Sequence, residues 1–314
     1  MMPYAEPPMI DAPAPPADQA IEAPGPAGPL KGSLAGPPGA PVVLILPGSG
    51  PTDRDGDNPL GVRAAPYRML AEGLAARGIA SVRIDKRGMF ASAAATPDAD
   101  DVTIDDYVRD TESWIAAIRA RTGASCIWLL GHSEGGLIAL ATAARSRDAL
   151  CGVILVSTPG RPLGEVLKAQ LRANLANAPL LDAADRAIDT LANGGRVDAA
   201  ALPPPLAPLF RASVQKFEAS IFGLDPAALV RGVDRPTLIL QGDRDLQVTL
   251  LDADRLVAAR PAATLVRLHD TNHVLKHVAV DDRSANLATY ADPALPLAPG
   301  VVDAIAHFVQ GGAR

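Results

Sequence analysis

Ile127-Trp128-Leu129-Leu130-Gly131-His132-Ser133-Glu134-Gly135-Gly136-Leu137-Ile138-Ala139-Leu140 is the stretch whose reading decides the fold. Its first four residues form an apolar run too short for a helix, which predicts a buried strand, and the run from Leu137 opens a helix. Between them lies Gly-x-Ser-x-Gly. The pentapeptide alone is weak, because a chain of this glycine and serine content produces it by chance often enough. Strand, sharp turn and helix in immediate succession carry the weight. Such a turn holds the serine backbone under strain, and a side chain at either flanking glycine would collide with the neighbouring strand or helix. Ser133 is thereby lifted above the sheet edge, next to a helix N-terminus that favours developing negative charge.

Working outward, short apolar runs at 42–46, 80–84, 153–156, 237–240 and 264–268 join the run at 127–130 as candidate strands. Helical stretches at 67–77, 104–121, 137–147 and 250–259 separate them, the first two closing at Gly78 and Gly123. This alternation predicts an α/β fold: a mostly parallel, twisted sheet with helices on both faces. Edge strands from the region 20–36 bring the expected strand number to about eight. Residues 1–27 read as a Pro/Ala-rich N-terminal tail, and 28–314 as one domain. Within that domain 159–232 has no parallel-strand pattern but amphipathic pieces at 163–175 and 182–191, broken by Pro203-Pro204-Pro205 and Pro208. A helical lid or pocket wall is expected there, with a helical extension that only packs as the alternative.

Composition narrows the function classes. Hydrophobic residues make up 48% of the 314 and charged residues 20%, enough for a sizeable core. The formal net charge is −6 with the two signs interleaved, so no cationic surface is offered to a phosphate backbone and nucleic acid is not an expected partner. The two cysteines, Cys126 and Cys151, sit in or beside apolar runs and read as small buried hydrophobes, with no disulfide framework needed. No Cys/His metal spacing occurs, and neither metal nor cofactor is expected. No apolar run is long enough to span a membrane and the first residues lack a signal-peptide pattern. Cytoplasm is the expected compartment, with an exported mature form as the alternative.

A serine hydroxyl is a poor nucleophile at neutral pH, so a histidine must take its proton and an acid must orient the histidine, in the chain order Ser, acid, His. Of the downstream histidines, His273 follows the last strand in Asp270-Thr271-Asn272-His273, where a loop at the carboxyl edge can reach Ser133. His269 reads as a packing or surface residue, and His277 and His307 as members of a loop and a terminal helix. For the acid, Gly242-Asp243-Arg244-Asp245 follows the penultimate strand. Asp245 is preferred because the turn has left the strand before its carboxylate is presented, while Asp243 remains a candidate turn cap. An oxyanion hole is expected from the backbone N–H of Glu134 and that of Ser49, in the glycine-rich turn Pro47-Gly48-Ser49-Gly50-Pro51. The charged clusters Thr52-Asp53-Arg54-Asp55-Gly56 and Asp85-Lys86-Arg87-Gly88 alternate in sign and are expected to brace loops through internal ion pairs.

Five motifs together resemble bacterial α/β-hydrolases of the EstD carboxylesterase type, often labelled serine aminopeptidase-like. They are Gly48 to Gly56, Asp85-Lys86-Arg87-Gly88, Gly131 to Gly136, Gly242-Asp243-Arg244-Asp245-Leu246-Gln247-Val248, and Asn272-His273-Val274-Leu275-Lys276. The resemblance runs from about residue 28 to the C-terminus. It implies hydrolysis of short or medium acyl esters, with Ser133, Asp245 and His273 as a triad, the N–H groups of Ser49 and Glu134 as oxyanion hole, and a small ester as the partner molecule. It departs at Met89-Phe90, where similar sequences carry a smaller, Gly-containing pair, so a changed pocket rim is expected. The rival readings are an amide or peptide hydrolase, in which Glu134 would bind an amine, and a non-catalytic binding protein on the same scaffold.

Overall fold

The computed structural model describes residues 18–311. Eight strands form one sheet: β1 (Gln19–Ala23), β2 (Leu30–Ala35), β3 (Val42–Leu46), β4 (Ala80–Ile84), β5 (Ile127–His132), β6 (Leu150–Val156), β7 (Thr237–Gly242) and β8 (Thr264–Leu268). Their order across the sheet is β1-β2-β4-β3-β5-β6-β7-β8. β1 and β2 pair antiparallel at one edge, and the other six run parallel. All six apolar runs read from the sequence are strands. β1 lies inside the segment 1–27 assigned to the tail, so residues 19–23 belong to the sheet. Their own pattern, Gln-Ala-Ile-Glu-Ala with Ile21 and Ala23 buried, is that of a one-sided edge strand. Residues 1–17 lie outside the described part.

The helices are α1 (Pro66–Ala75), α2 (Ile104–Thr122), α3 (Glu134–Arg145), α4 (Leu163–Arg172), α5 (Leu181–Ala192), α6 (Ala212–Phe222), α7 (Pro226–Arg231), α8 (Leu250–Ala259), α9 (Arg283–Ala288) and α10 (Val301–Gly311). Side-chain alternation along β3 sorts the core into two layers. Leu44 and Leu46 pack with Leu129, Leu155 and Ile239 on the face that α2 and α3 cover. Val43 and Ile45 pack with Leu130, Val156 and Leu240 on the face that α1 and α10 cover. α2 begins where Thr103 and Asp106 form a reciprocal capping box and ends at Gly123, φ 75°. α3 starts at Glu134, three residues before the helix read from the apolar pattern, because its first turn is built of the small residues the elbow requires.

Chain direction across the sheet reverses between β3 and β5, whose carboxyl ends are neighbours, Leu46 opposite Gly131. A crevice opens at such a switch point, and it sets the loop after β3 beside the turn after β5.

The cysteines correct the expectation of unbridged hydrophobes. Cys126 and Cys151 are half-buried and joined in a disulfide with Cα atoms 5.2 Å apart. The reason lies in the register: β5 begins at Ile127 opposite Leu150, and a shift there pairs Trp128 with Gly152, so Cys151 is the extra residue of β6 beside the start of β5.

Candidate active site

Ser133 sits at φ 55°, ψ −123°, between the end of β5 and the start of α3. For a residue with a side chain this is strained backbone, held by Ser133 N–H donating to Val156 O at 2.9 Å and by Gly136 N–H donating to Ser133 O at 2.9 Å. The flanking glycines are required by close approach. A Cβ on Gly131 would lie 2.2 Å from Gly135 O, and one on Gly135 would lie 2.3 Å from Leu46 O.

Asp245 and His273 come together. The Asp245 side chain is completely buried, and its Oδ2 lies 2.7 Å from His273 Nδ1. Its other oxygen accepts from the N–H groups of Gln247 and Val248 at 2.8 and 2.9 Å, and Gln241 Nε2 approaches Oδ2 at 3.3 Å. Burial works against the ionised carboxyl, but His273 and these hydrogen bonds outweigh it and hold Asp245 below the usual carboxylate range. Asp243 is exposed and pairs with His269, whose side chain is 93% solvent-exposed. His277 and His307 are exposed as well. The loop carrying His273 is fixed from behind by Asn272, whose amide donates to Thr289 Oγ1 at 2.7 Å and whose Oδ1 accepts from Lys276 N–H at 3.0 Å.

Ser133 and His273 line one cleft of about 110 Å³. Its walls include Ser49, Asn58, Val62, Tyr67, Gln247 and Tyr290. No residue of 159–232 is among the lining residues. The helices α4–α7 fill that segment as expected, and they reach the site indirectly, through Gln170 Nε2 donating to Gln247 O at 3.3 Å. Met89 and Phe90 are also absent from the lining, so the changed rim is not found. Phe90 is exposed and occupies φ 46°, the left-handed region where glycine is favoured, so a glycine would fit this backbone with less strain than the phenylalanine present.

The charged clusters brace loops. Arg54 grips Asp85 through Nη2 at 2.5 Å and Nε at 3.2 Å, and Arg87 pairs with Asp110 at 2.6 Å. Lys86 Nζ donates to Gly48 O at 2.8 Å and lies 3.3 Å from Glu134 Oε1, with both side chains 3% exposed. Glu134 therefore faces inward, engaged by Lys86, and does not present a carboxylate for an amine substrate.

Sequence reasoning gave no role to His132, Tyr67, Gln247 or Tyr290. Tyr67 Oη lies 2.8 Å from His132 Nδ1 and accepts from Gly48 N–H at 3.1 Å. His132 Nε2 lies 2.8 Å from the backbone oxygen of His273. The available signal was a polar ring closing an otherwise apolar strand, since a histidine buried there must find partners.

The serine aminopeptidase S33 family model matches residues 60–204. Esterase EstD of Thermotoga maritima is 27% identical over 256 residues, which cover 78% of this chain. This chain has the α/β-hydrolase fold and is similar to EstD. The matched region spans 58% of the length of EstD. Among solved structures, this chain is similar to Est1E from Butyrivibrio proteoclasticus, with a TM-score of 0.58 and 16% identity over 94% of this chain and 98% of that one. It is also similar to an esterase of Pyrococcus furiosus, with a TM-score of 0.60 and 14% identity over 95% and 91% of the two chains. At these identities the structural likeness establishes the fold.

Proposed function

We propose that this protein cleaves carboxylic esters through Ser133, His273 and Asp245 by way of an acyl-enzyme. The observation that carries the reading is the His273–Asp245 contact at 2.7 Å in the same cleft as a serine held at φ 55°. His273 takes the Ser133 hydroxyl proton as the oxygen attacks the ester carbonyl, and Asp245 fixes the imidazole tautomer. The tetrahedral oxyanion is met by the N–H groups of Ser49 and Glu134, for which no acceptor is found among the described residues. The intermediate expels the alcohol with the proton from His273. Water then attacks the acyl-enzyme by the same route and releases the acid.

Cleft size and composition support short acyl groups. The cleft beside the nucleophile is small, about 110 Å³, with Val62, Tyr67 and Tyr290 among its walls. The helical segment 159–232 acts in this reading as a cap that positions Gln247 from outside, while the loop holding Asn58 and Val62 and the turn holding Tyr290 set specificity. The peptidase reading, named by the family model, lacks the amine-binding carboxylate it needs, because Glu134 is engaged by Lys86. No helix among the described residues is long and apolar enough to cross a membrane. The Cys126–Cys151 disulfide supports maturation in an oxidising compartment over the cytoplasmic default. Comparing aryl-ester with aminoacyl-anilide turnover tests the reading: ester hydrolysis abolished by Ser133→Ala supports it, and anilide turnover exceeding ester turnover overturns it.

A further inference from the structure

We propose that Tyr67 and His132 are positioning residues that lock the Ser49 turn and the His273 loop into one hydrogen-bonded frame around Ser133, a proposal that rests on the esterase reading of the site. Each bond in the frame has a single possible direction. A carbonyl oxygen only accepts, so the 2.8 Å contact of His132 Nε2 with His273 O puts a hydrogen on Nε2. His132 is 5% exposed, and burial together with the nearby His273 depresses its pKa to about 3, so the ring is neutral and Nδ1 carries a lone pair. Tyr67 Oη, 2.8 Å away, must donate to that lone pair. The same hydroxyl accepts from Gly48 N–H at 3.1 Å. Burial raises the Tyr67 phenol far above its ordinary value, so it keeps its proton. The chain therefore runs Gly48 N–H to Tyr67 O–H to His132 to His273 C=O, with both central groups neutral. It positions and does not relay protons.

Both ends of the frame are places where the chemistry needs accuracy. The Gly48 carbonyl belongs to the same planar peptide as the Ser49 N–H, and the chain has no cis peptide among the described residues. Lys86 fixes that carbonyl at 2.8 Å while Tyr67 fixes the N–H on the other side of Gly48, so both peptides flanking Gly48 are held and the Ser49 N–H keeps its direction. Gly48 also packs directly on the nucleophile, because a Cβ there would stand 3.4 Å from Ser133 Cβ. At the far end, His132 tethers the backbone of His273 from beneath, and the two rings lie 4.8 Å apart. Asp245 sets the rotation of the His273 ring; His132 sets where its main chain sits.

Tyr67→Phe and His132→Leu remove links without adding bulk, and each leaves a buried polar group without its partner. We expect kcat on a small aryl ester to fall about 10- to 100-fold with KM within about twofold. His132→Gln, whose amide can accept from Tyr67 and donate to His273 O, should recover part of the loss. Nitrogen-15 NMR on histidine-labelled wild-type protein gives a readout independent of turnover: His132 with Nε2 protonated, Nδ1 bare, and no titration between pH 5 and 9. Unchanged kcat in folded Tyr67→Phe, or a His132 ring that titrates in that range or shows the opposite tautomer, overturns the frame. A wild-type protein inactive on every ester yet showing the expected tautomer would sink the esterase reading while upholding the frame.

Discussion

Replacing both Cys126 and Cys151 by Ala should lower stability and leave turnover untouched. The bridge closes a loop of 25 residues in the unfolded chain. In the chain-entropy treatment, that loop corresponds to about 3.5 kcal/mol at 25 °C. For 314 residues the unfolding entropy near the midpoint is about 0.66 kcal/mol per kelvin, so the expected fall in Tm is about 5 °C. Activity is a separate matter because of where the bridge sits. Cys126 precedes β5 and Ser133 follows it, so about 20 Å of strand separates them. Differential scanning calorimetry of wild type and the double variant, with ester turnover measured on both, provides the assay. A Tm unchanged within 1 °C would mean that the thiols are not bridged in the folded protein. A loss of more than about twofold in kcat/KM would mean that the amino end of the sheet is coupled to the site, contrary to the placement described.

Lys86→Met leaves the buried Glu134 carboxylate without its partner and should cost about 3–5 kcal/mol in a denaturant titration, with Lys86→Met/Glu134→Gln recovering part of it. Asp245→Asn cannot hold the same imidazole tautomer and should lower kcat by a factor on the order of 10⁴ with little change in KM, measured under saturating ester. Tyr290→Ala removes one wall of the 110 Å³ cleft, so the acyl-length fall-off should move outward by two or more carbons in a graded ester series.

The parallel core and the elbow were legible because their physics is local. A buried parallel strand needs an unbroken apolar run, and the runs at 42–46 and 237–240 announce themselves. Gly131 and Gly135 are forced by backbone contacts that any sequence with this turn must satisfy. Asp245 and His273 could be ranked above Asp243 and His269 because position relative to a strand end decides which residue turns over the sheet. What stayed hidden depends on contacts between distant segments. Tyr67 looks like any other apolar-face residue of α1 until folding brings it to His132, 65 positions away. The inward turn of Glu134 depends on Lys86, 48 positions earlier, and so could not be told from a solvent-facing charge. The disulfide depended on the register of β5 against β6, which no spacing rule supplies. The edge strands were expected from the region 20–36, but the start of the sheet was misplaced within the Pro/Ala-rich tail because five residues with two buried side chains give too weak an alternation to fix a boundary.

The most direct test of the central claim is covalent trapping of the nucleophile. Incubation with a fluorophosphonate, followed by mass spectrometry of the intact protein and of its peptides, should find a single adduct, on Ser133. Ester turnover should vanish in step with labelling, and Ser133→Ala should take up none. Full labelling of Ser133→Ala, or a wild-type protein that hydrolyses esters while remaining unlabelled, would contradict the assignment of Ser133 as the nucleophile.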